Sequence, residues 1–386
     1  MGLSELIDNA DLVVVGAGFF GLTIAERSAA YGLDVLVIDK RNHVGGNAYS
    51  FVEELTGIEI HKYGSHLFHT SNEKVWNYVN RFTNFNSYRH SVFTKYSNKT
   101  YPMPISLSTI CAFFEKSLSP DEARALISEQ ISEAGITNPT NFEEKAISLV
   151  GKSLYEAFYF GYTSKQWGAH PSELPPEIVT RLPVRYNFNN RYFSDTWEGL
   201  PLEGYGKWFA EMTNNPKIKV SLTTDFFEIK SLIHPSKLVI YTGPIDKFFG
   251  YKCGLLGWRT LDFQTETLNC EDFQGTSVMN YSDISTPFTR IHEFKHLHPE
   301  RTHTFGITTI MREFSRVGNR MDDPYYPINS LNDRRALMNY RRLAQTEENY
   351  IFGGRLGSYQ YLDMHMAIAS ALQVFENEIK RKFNLK

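Results

Sequence analysis

The clearest pattern of apolar and polar positions is in "DLVVVGAGFFGLTIAERSAAYGLDVLVIDK", near the start of the chain. The unbroken apolar run Leu12 to Val15 predicts a strand buried on both faces. A glycine turn follows, then a helix with an alanine-rich face, then a second apolar strand ending at Asp39. This order is a βαβ unit. Gly16 permits the tight turn, Gly18 brings the backbone close to a pyrophosphate, and Gly21 lets helix and strand pack closely. The first helical turn offers amide donors to phosphate, and Asp39 stands where a ribose hydroxyl would lie, so the stretch predicts a dinucleotide site.

Farther along, the texture turns helical. "SPDEARALISEQISEAG" offers Ser119 as N-cap, Pro120 at the first helical position and Glu122 as capping-box partner, and "TNFEEKAISLVG" repeats the device with Thr140 and Glu143. This helical insertion should end at the prolines between Pro171 and Pro176. Next, "RLPVRYNFNNRYFSD" alternates polar and aromatic residues as a strand would, and "KLVIYTGPID" and "GTSVMNYSD" also predict strands. A last strand, glycine turn and helix, "YIFGGRLGSYQYLDMHMAIASALQVFENEIKRKF", return the chain to the doubly wound domain, so its middle is an insertion. No internal repeat or low-complexity segment interrupts this order.

Composition narrows the function classes. With 386 residues the chain is long enough for two or three domains. Its 40 Lys+Arg against 43 Asp+Glu, with no block of like charges, argue against a nucleic-acid surface and a polybasic membrane anchor. No apolar stretch is long enough to insert into a membrane, and "MGLSEL" has Leu6 where a myristoylation signal needs Ser or Thr. Cys111, Cys253 and Cys270 lie far apart, which points to free thiols in a reducing compartment, and the expected location is cytoplasmic. The 22 tyrosines and 28 phenylalanines should mostly fill cores, with a minority lining a site.

No HExxH, GxSxG, phosphate loop or clustered Cys/His set is present, so metal and serine-type catalysis are disfavoured. His66 and His69 in "YGSHLFHT" are neighbours on a loop, but without acidic partners nearby they make a poor metal site, and no metal is expected. What remains is a cationic and aromatic set: Tyr162, Trp167, Arg181, Tyr192, Arg290, Tyr325, Tyr326, Arg355 and Tyr361. Arginines pair with phosphate oxygens, and tyrosines donate to phosphate and stack on bases and sugars. In "GYTSKQWG", Tyr162 and Trp167 can be either a buried helix end or one wall of such a site, and spacing alone leaves both open.

Resemblance separates them. Gly45-Gly46, just past Asp39, resembles the extension found in two-dinucleotide-binding-domain flavoproteins, where its backbone runs along FAD. Over nearly its whole length the chain resembles bacterial-type UDP-galactopyranose mutases: "VVGAGFFGL", "IDKRNHVGGNAY", "HKYGSHLFHT", "GYTSKQWG", "RLPVRYNFNNRYFSD", "YTGPID", "PFTRIHEFKH", "DPYYPIN" and "FGGRLGSYQYLDMHM" follow one another in that family's order. The family interconverts UDP-galactopyranose and UDP-galactofuranose using FAD that must be reduced, with no net redox change. One departure is Ser65, where relatives often carry a different small residue.

The resemblance implies an α/β fold: a Rossmann-like FAD-binding domain with an inserted helical domain and an antiparallel β-sheet domain. The expected segments are 1–85, 197–245 and 345–386 for FAD; 104–178 for the helices; and 86–103, 179–196 and 246–344 for the sheet. Arg181, on a mobile loop, and Arg290 match the arginines that hold the diphosphate, and with His66, which meets the flavin ring, they are the expected catalytic residues. Tyr192, Tyr361 and one of Tyr325 and Tyr326 match hydroxyls on the same diphosphate; Tyr162, Trp167 and Asn280 match the nucleotide and sugar wall. Gly16, Gly18, Phe20, Gly21, Asp39, Lys40, Gly46 and Asn47 are expected around the dinucleotide, and His66, Arg355, Tyr361, Asp363 and Met364 around the flavin.

The implied chemistry is nucleophilic attack by reduced flavin N5 on the anomeric carbon, displacement of UDP, ring opening through a flavin–sugar iminium and reclosure through another hydroxyl. A reductant such as NAD(P)H, a homodimer and a role in cell-wall polysaccharide biosynthesis are family expectations. Two rivals share the fold: a net flavin oxidoreductase of amine-oxidase type, which needs no diphosphate clamp, and a non-enzymatic chaperone of prenylated GTPases, which needs a degenerate FAD fingerprint. Here Gly16, Gly18, Gly21, Asp39, Gly45 and Gly46 are intact.

Overall fold

The computed structural model describes residues 2–181 and 184–385, and of 179–181 the backbone only. The strands β1 (Leu12–Val15), β2 (Val35–Ile38), β3 (Val92–Tyr96), β4 (Lys99–Met103), β5 (Ile218–Ser221), β6 (Leu238–Tyr241), β7 (Trp258–Leu268), β8 (Val278–Tyr281), β9 (Arg290–Glu293), β10 (Thr308–Val317), β11 (Tyr326–Pro327) and β12 (Tyr350–Phe352) build two large sheets. The helices used below are α1 (Phe19–Ala30), α2 (Leu107–Phe114), α3 (Pro120–Ala134), α4 (Phe142–Val150), α5 (Gly161–Trp167), α6 (Gly204–Thr213) and α7 (Met364–Val374).

The first sheet is five-stranded and wholly parallel, in the order β12-β6-β1-β2-β5. Strands covered on both faces read as continuous apolar runs, and β1, β2 and β6 are buried at every position. Helix α1 presses Phe19, Phe20, Leu22 and Ile24 into one core, where Phe19 meets Trp208 and Phe209 of α6 at ring separations of 4.8 and 4.9 Å. At Gly16 the backbone turns with φ +107°, and a Cβ there would strike the Thr242 hydroxyl; a Cβ on Gly21 would strike the Gly16 carbonyl. The close turn therefore requires both glycines.

The second sheet is seven-stranded, in the order β11-β7-β10-β9-β8-β3-β4, antiparallel except where β8 runs parallel to β3. Between β4 and β5 lie α2, α3 and α4, which close their own core around Ile110, Ile127, Phe142 and Leu154. Ser119 and Glu122 form the expected capping box on α3. The cap of α4 differs by one residue from the sequence expectation: Asn141, not Thr140, accepts the Glu144 amide at 2.9 Å, and Glu144, not Glu143, reaches back to the Thr140 amide at 2.7 Å. Asn is as good a cap as Thr, and Phe142 must face inward.

Among the described residues of "RLPVRYNFNNRYFSD" the alternation makes no strand. Residues 184–196 run as turns because asparagine side chains take the backbone partners: Asn187 accepts from the Asn189 amide at 2.9 Å and Asn189 from the Arg191 amide at 3.1 Å. The helical segment Tyr155–Phe160 has the wider π form and leads without a break into α5. Among the described residues no helix is long and apolar enough to cross a membrane.

Gly21→Val should therefore overpack the junction of α1 with the first turn and destabilise the protein by about 1–3 kcal/mol. Denaturant unfolding against wild type checks it, and an unchanged midpoint would contradict the close approach.

Candidate functional site

A cavity of about 1570 Å³ runs from the glycine turn after β1 to the face of the second sheet. Every expected site residue except Arg181 lines it, and the Arg181 side chain lies outside the described residues.

At one end, the N-terminus of α1 opens on Gly18 with no side-chain cap, which leaves first-turn amides directed at the cavity. Asp39 accepts the Ala17 amide at 2.8 Å and the Arg41 amide at 2.9 Å, and a carboxylate with two such bonds still has lone pairs for a hydroxyl. The Gly45-Gly46 doublet closes on this turn, since a Cβ on Gly46 would lie 3.1 Å from Gly18 Cα. Asn47 accepts from Arg41 at 3.0 Å, and Lys40 and Arg41 both reach Asp323, at 3.1 and 2.8 Å. The uncapped helix, the bare glycine surface and the acid fit an adenine dinucleotide.

The middle of the cavity holds His66 and Arg355. Burial pushes the His66 imidazole down to about 4, so it is neutral at pH 7; its Nδ1 lies 2.8 Å from the Gly64 carbonyl and so carries the proton, leaving Nε2 as an acceptor. Arg355 donates to the carbonyls of Pro324, at 2.9 Å, and Tyr325, and its burial pushes it down to about 10. Asp363 is the N-cap residue of α7, with Met364 beginning the helix.

At the far end, α5 presents Tyr162 and Trp167, and the paired strands β8 and β9 set Asn280 opposite Arg290. Arg290 donates to the Tyr162 hydroxyl, and its Nε lies 3.3 Å from Glu313. Burial works against both charges, but each holds the other ionised: the guanidinium lies well above its ordinary value and the carboxyl below its own. Glu313 also meets His292 at 3.1 Å, and His292 meets the Ser65 hydroxyl at 2.8 Å, so the pair is tied to the loop carrying His66. The Tyr326 ring stacks on Tyr361 at 5.8 Å and feels the Arg290 charge, whereas Tyr325 faces Arg41 and Asp323. Tyr192 is half exposed at the rim. The Asn280 Oδ1 atom is buried with no hydrogen-bond partner among the described residues.

The model of the GLF family, described as UDP-galactopyranose mutase, matches residues 157–361, and an NAD(P)-binding Rossmann-like domain matches residues 14–82. A probable UDP-galactopyranose mutase from Klebsiella pneumoniae is 44% identical over 95% of this chain and 94% of its own length. The chain belongs to the UDP-galactopyranose mutase family. It is an isomerase of that family. A dTDP-fucopyranose mutase from Escherichia coli is 38% identical over 96% of this chain and 98% of its own length. A crystal structure of a reduced UDP-galactopyranose mutase has the same fold, with a TM-score of 0.70 over 98% of this chain and 96% of that one, at 15% identity. A redesigned putrescine oxidase shares the fold at a TM-score of 0.55 over 96% of this chain and 99% of that one, at 12% identity.

Within this mutase-family site the structure corrects one expectation. His69 does have acidic neighbours: its Nδ1 lies 2.7 Å from Asp195, and donor atoms of His69, Asp363 and His365 lie within 4.8 Å of one another. Asp195 and Asp363 are more than a hundred residues away in sequence, so the spacing of His66 and His69 carried no sign of them. Sequence reasoning also missed Arg41, Asp323, His292 and Glu313, and only their apolar surroundings in "PFTRIHEF" and "TTIMREFS" hinted that the last two are buried.

Glu313→Gln should remove a buried charge partner and cost about 3–5 kcal/mol at pH 7. Because the folded-state pKa is depressed, the stabilisation is present above the unfolded value of about 4.3 and lost as pH falls through the lower folded one. Denaturant titrations across that window should show a shallower acid loss in the variant, and equal slopes would remove Glu313 as the partner of Arg290.

Proposed function

We propose that the protein interconverts UDP-galactopyranose and UDP-galactofuranose with FAD bound in the reduced state. The observation that carries this reading is the far wall of the cavity: a half-buried arginine, two stacked tyrosines and a buried amide oxygen with no partner among the described residues line the same cavity as the cofactor end. A buried acceptor without a partner costs free energy unless a ligand donates to it, and the N3–H of a uracil is such a donor. When bound, reduced flavin supplies the nucleophilic nitrogen for the anomeric carbon with no net electron transfer.

The chain's own residues then account for retention and position. Arg290, together with Arg181, binds the diphosphate, stabilises UDP as it leaves and keeps it from escaping before the ring recloses. Tyr326 and Tyr361, already paired, donate to the same oxygens, with Tyr192 closing from the rim; Tyr325 serves the cofactor side. Tyr162 and Trp167 flank the nucleotide and sugar, and Asn280 orients the base. Asp39 holds the adenosine ribose, Gly18 and Gly46 admit the pyrophosphate, and neutral His66 presents its loop to the ring system. We further propose a cytoplasmic homodimer reduced by NAD(P)H.

A net oxidoreductase is the weaker reading, because the wall opposite the cofactor end is furnished for an anion rather than for a simple amine. The dTDP-fucopyranose mutase relative favours testing a second nucleotide sugar.

Dithionite-reduced protein should convert UDP-galactofuranose to the pyranose faster than it converts dTDP-fucofuranose, and oxidised protein should do neither well; chromatography of both mixtures decides. Equal conversion without reduced flavin would sink the mechanism. Arg290→Ala and Arg181→Ala should each lower turnover by about 10²–10³ while leaving the flavin spectrum intact, and full activity in either variant would remove that arginine from the clamp.

A further inference from the structure

Helix α5 meets the second sheet through half-buried Lys165 and buried Arg259, neither of which forms an ion pair with a carboxylate among the described residues. The Lys165 ammonium donates to three carbonyls at once, those of Tyr281 at 2.7 Å, Asp283 at 2.9 Å and Phe288 at 3.0 Å. These oxygens belong to the end of β8 and to the loop 282–289 that joins it to β9, so the lysine closes that loop against the helix. Four residues earlier on the same helical face, a Cβ on Gly161 would strike the Ser282 carbonyl, and helix and loop backbones touch directly. At the helix C-terminus the buried Arg259 guanidinium donates to Ser315 Oγ at 3.1 Å and to the Lys165 carbonyl at 3.4 Å, and Ser315 donates to the Gln166 carbonyl at 2.7 Å.

One side of this joint carries Tyr162 and Trp167; the other carries Asn280 and Arg290. The contact of Arg290 with Tyr162 crosses it. An ammonium has three donors and no acceptor, and three convergent carbonyls satisfy it completely, which a neutral or apolar side chain cannot reproduce. Nothing else in the function described above uses these groups. Resting on the nucleotide-sugar reading, we propose that Lys165 is a positioning residue for the substrate: it sets the separation of the aromatic wall from the Asn280–Arg290 wall, and its charge adds to the attraction for the diphosphate.

Of the elements packed against α5, the loop carries Asp283, β7 carries Arg259, Asp262 and Glu266, β9 carries Arg290, His292 and Glu293, and β10 carries Arg312, Glu313 and Arg316; Asp283 is the one whose charge acts on Lys165. Burial outweighs the attraction of Asp283 and pushes Lys165 down to about 8, while Arg290 is raised, Glu313 is lowered and Arg259, though lowered, starts from 12.5. An anionic ligand favours the charged lysine, so affinity should weaken as pH rises through that value.

The test is UDP binding to the flavin-loaded protein by calorimetry from pH 7 to 9.5, for wild type, Lys165→Met and Lys165→Arg. Lys165→Met should bind UDP at least tenfold more weakly at pH 7, with KM for the nucleotide sugar raised far more than kcat is lowered. Lys165→Arg should recover part of the affinity, and the weakening with pH should be seen in wild type and lost in both variants. Lys165→Met binding within twofold of wild type, with the same pH profile, would overturn the role. Should that variant fail to fold, wild-type affinity that stays constant from pH 7 to 9.5 overturns it equally. Wild type that binds no UDP at all would instead sink the nucleotide-sugar reading.

Discussion

A guanidinium or ammonium taken out of water must meet a negative charge or enough oxygen acceptors, because the desolvation it suffers is several kcal/mol. This chain meets the demand in two ways. Arg290 faces a buried carboxylate, Glu313, which His292 and Ser65 hold in turn. Arg355, Lys165 and Arg259 face carbonyl and hydroxyl oxygens instead. The first arrangement fixes one charge in one place. The second leaves positive charge, on Arg355 at the cavity wall and on Lys165 and Arg259 where α5 meets the second sheet, that no ion pair among the described residues cancels. The second sheet, α5 and the segment from Pro324 to Tyr326 all supply oxygens to these cations, so the shape of the cavity depends on solving this one problem.

The two sheets divide the labour accordingly. The parallel sheet offers bare backbone: an uncapped helix start and glycines where a Cβ would collide. The second sheet offers long polar side chains in register across neighbouring strands, Asn280 beside Arg290 and Arg290 beside Glu313. Aromatic residues follow the same split. Trp208, Phe209, Tyr205 and Phe294 are fully buried and fill the core between the layers, whereas Tyr192 and Tyr361 keep over a third of their surface exposed at the cavity, at 47% and 39%.

What was legible in the sequence was what short-range chemistry dictates. The turn after β1, the acid at its partner strand and the capping box of α3 are each written within a few dozen residues, and all formed as read. The cap at Asn141 was missed by one position because Thr140 satisfies the same rule. The segment 184–196 was misread as a strand because alternation was visible, while the ability of Asn187 and Asn189 to bond their own backbone was given too little weight. The carbonyls that hold Lys165, the Glu313 partner of Arg290, the Asp323 partner of Arg41 and the Asp195 partner of His69 lie 23 to 282 residues away, and no local pattern announces a contact over such a separation. Family resemblance supplied most of the residues of the far wall, but not the carboxylate behind Arg290.

The order of the parallel sheet also governs when the protein can form. Its central strand, β1, is made first but lies between β2 and β6, and β6 in turn pairs with β12, whose last residue is Phe352. A nascent chain can close β1 on β2 early, but the edge beyond β1 stays open until more than two hundred further residues have been synthesised. Contacts of such high sequence separation slow folding and leave a strand edge unpaired meanwhile. The inserted helices close their core within residues 96–186 and can fold in that interval. The dinucleotide turn would then be complete only once β12 has been made, which places cofactor capture after the folding of the inserted helices.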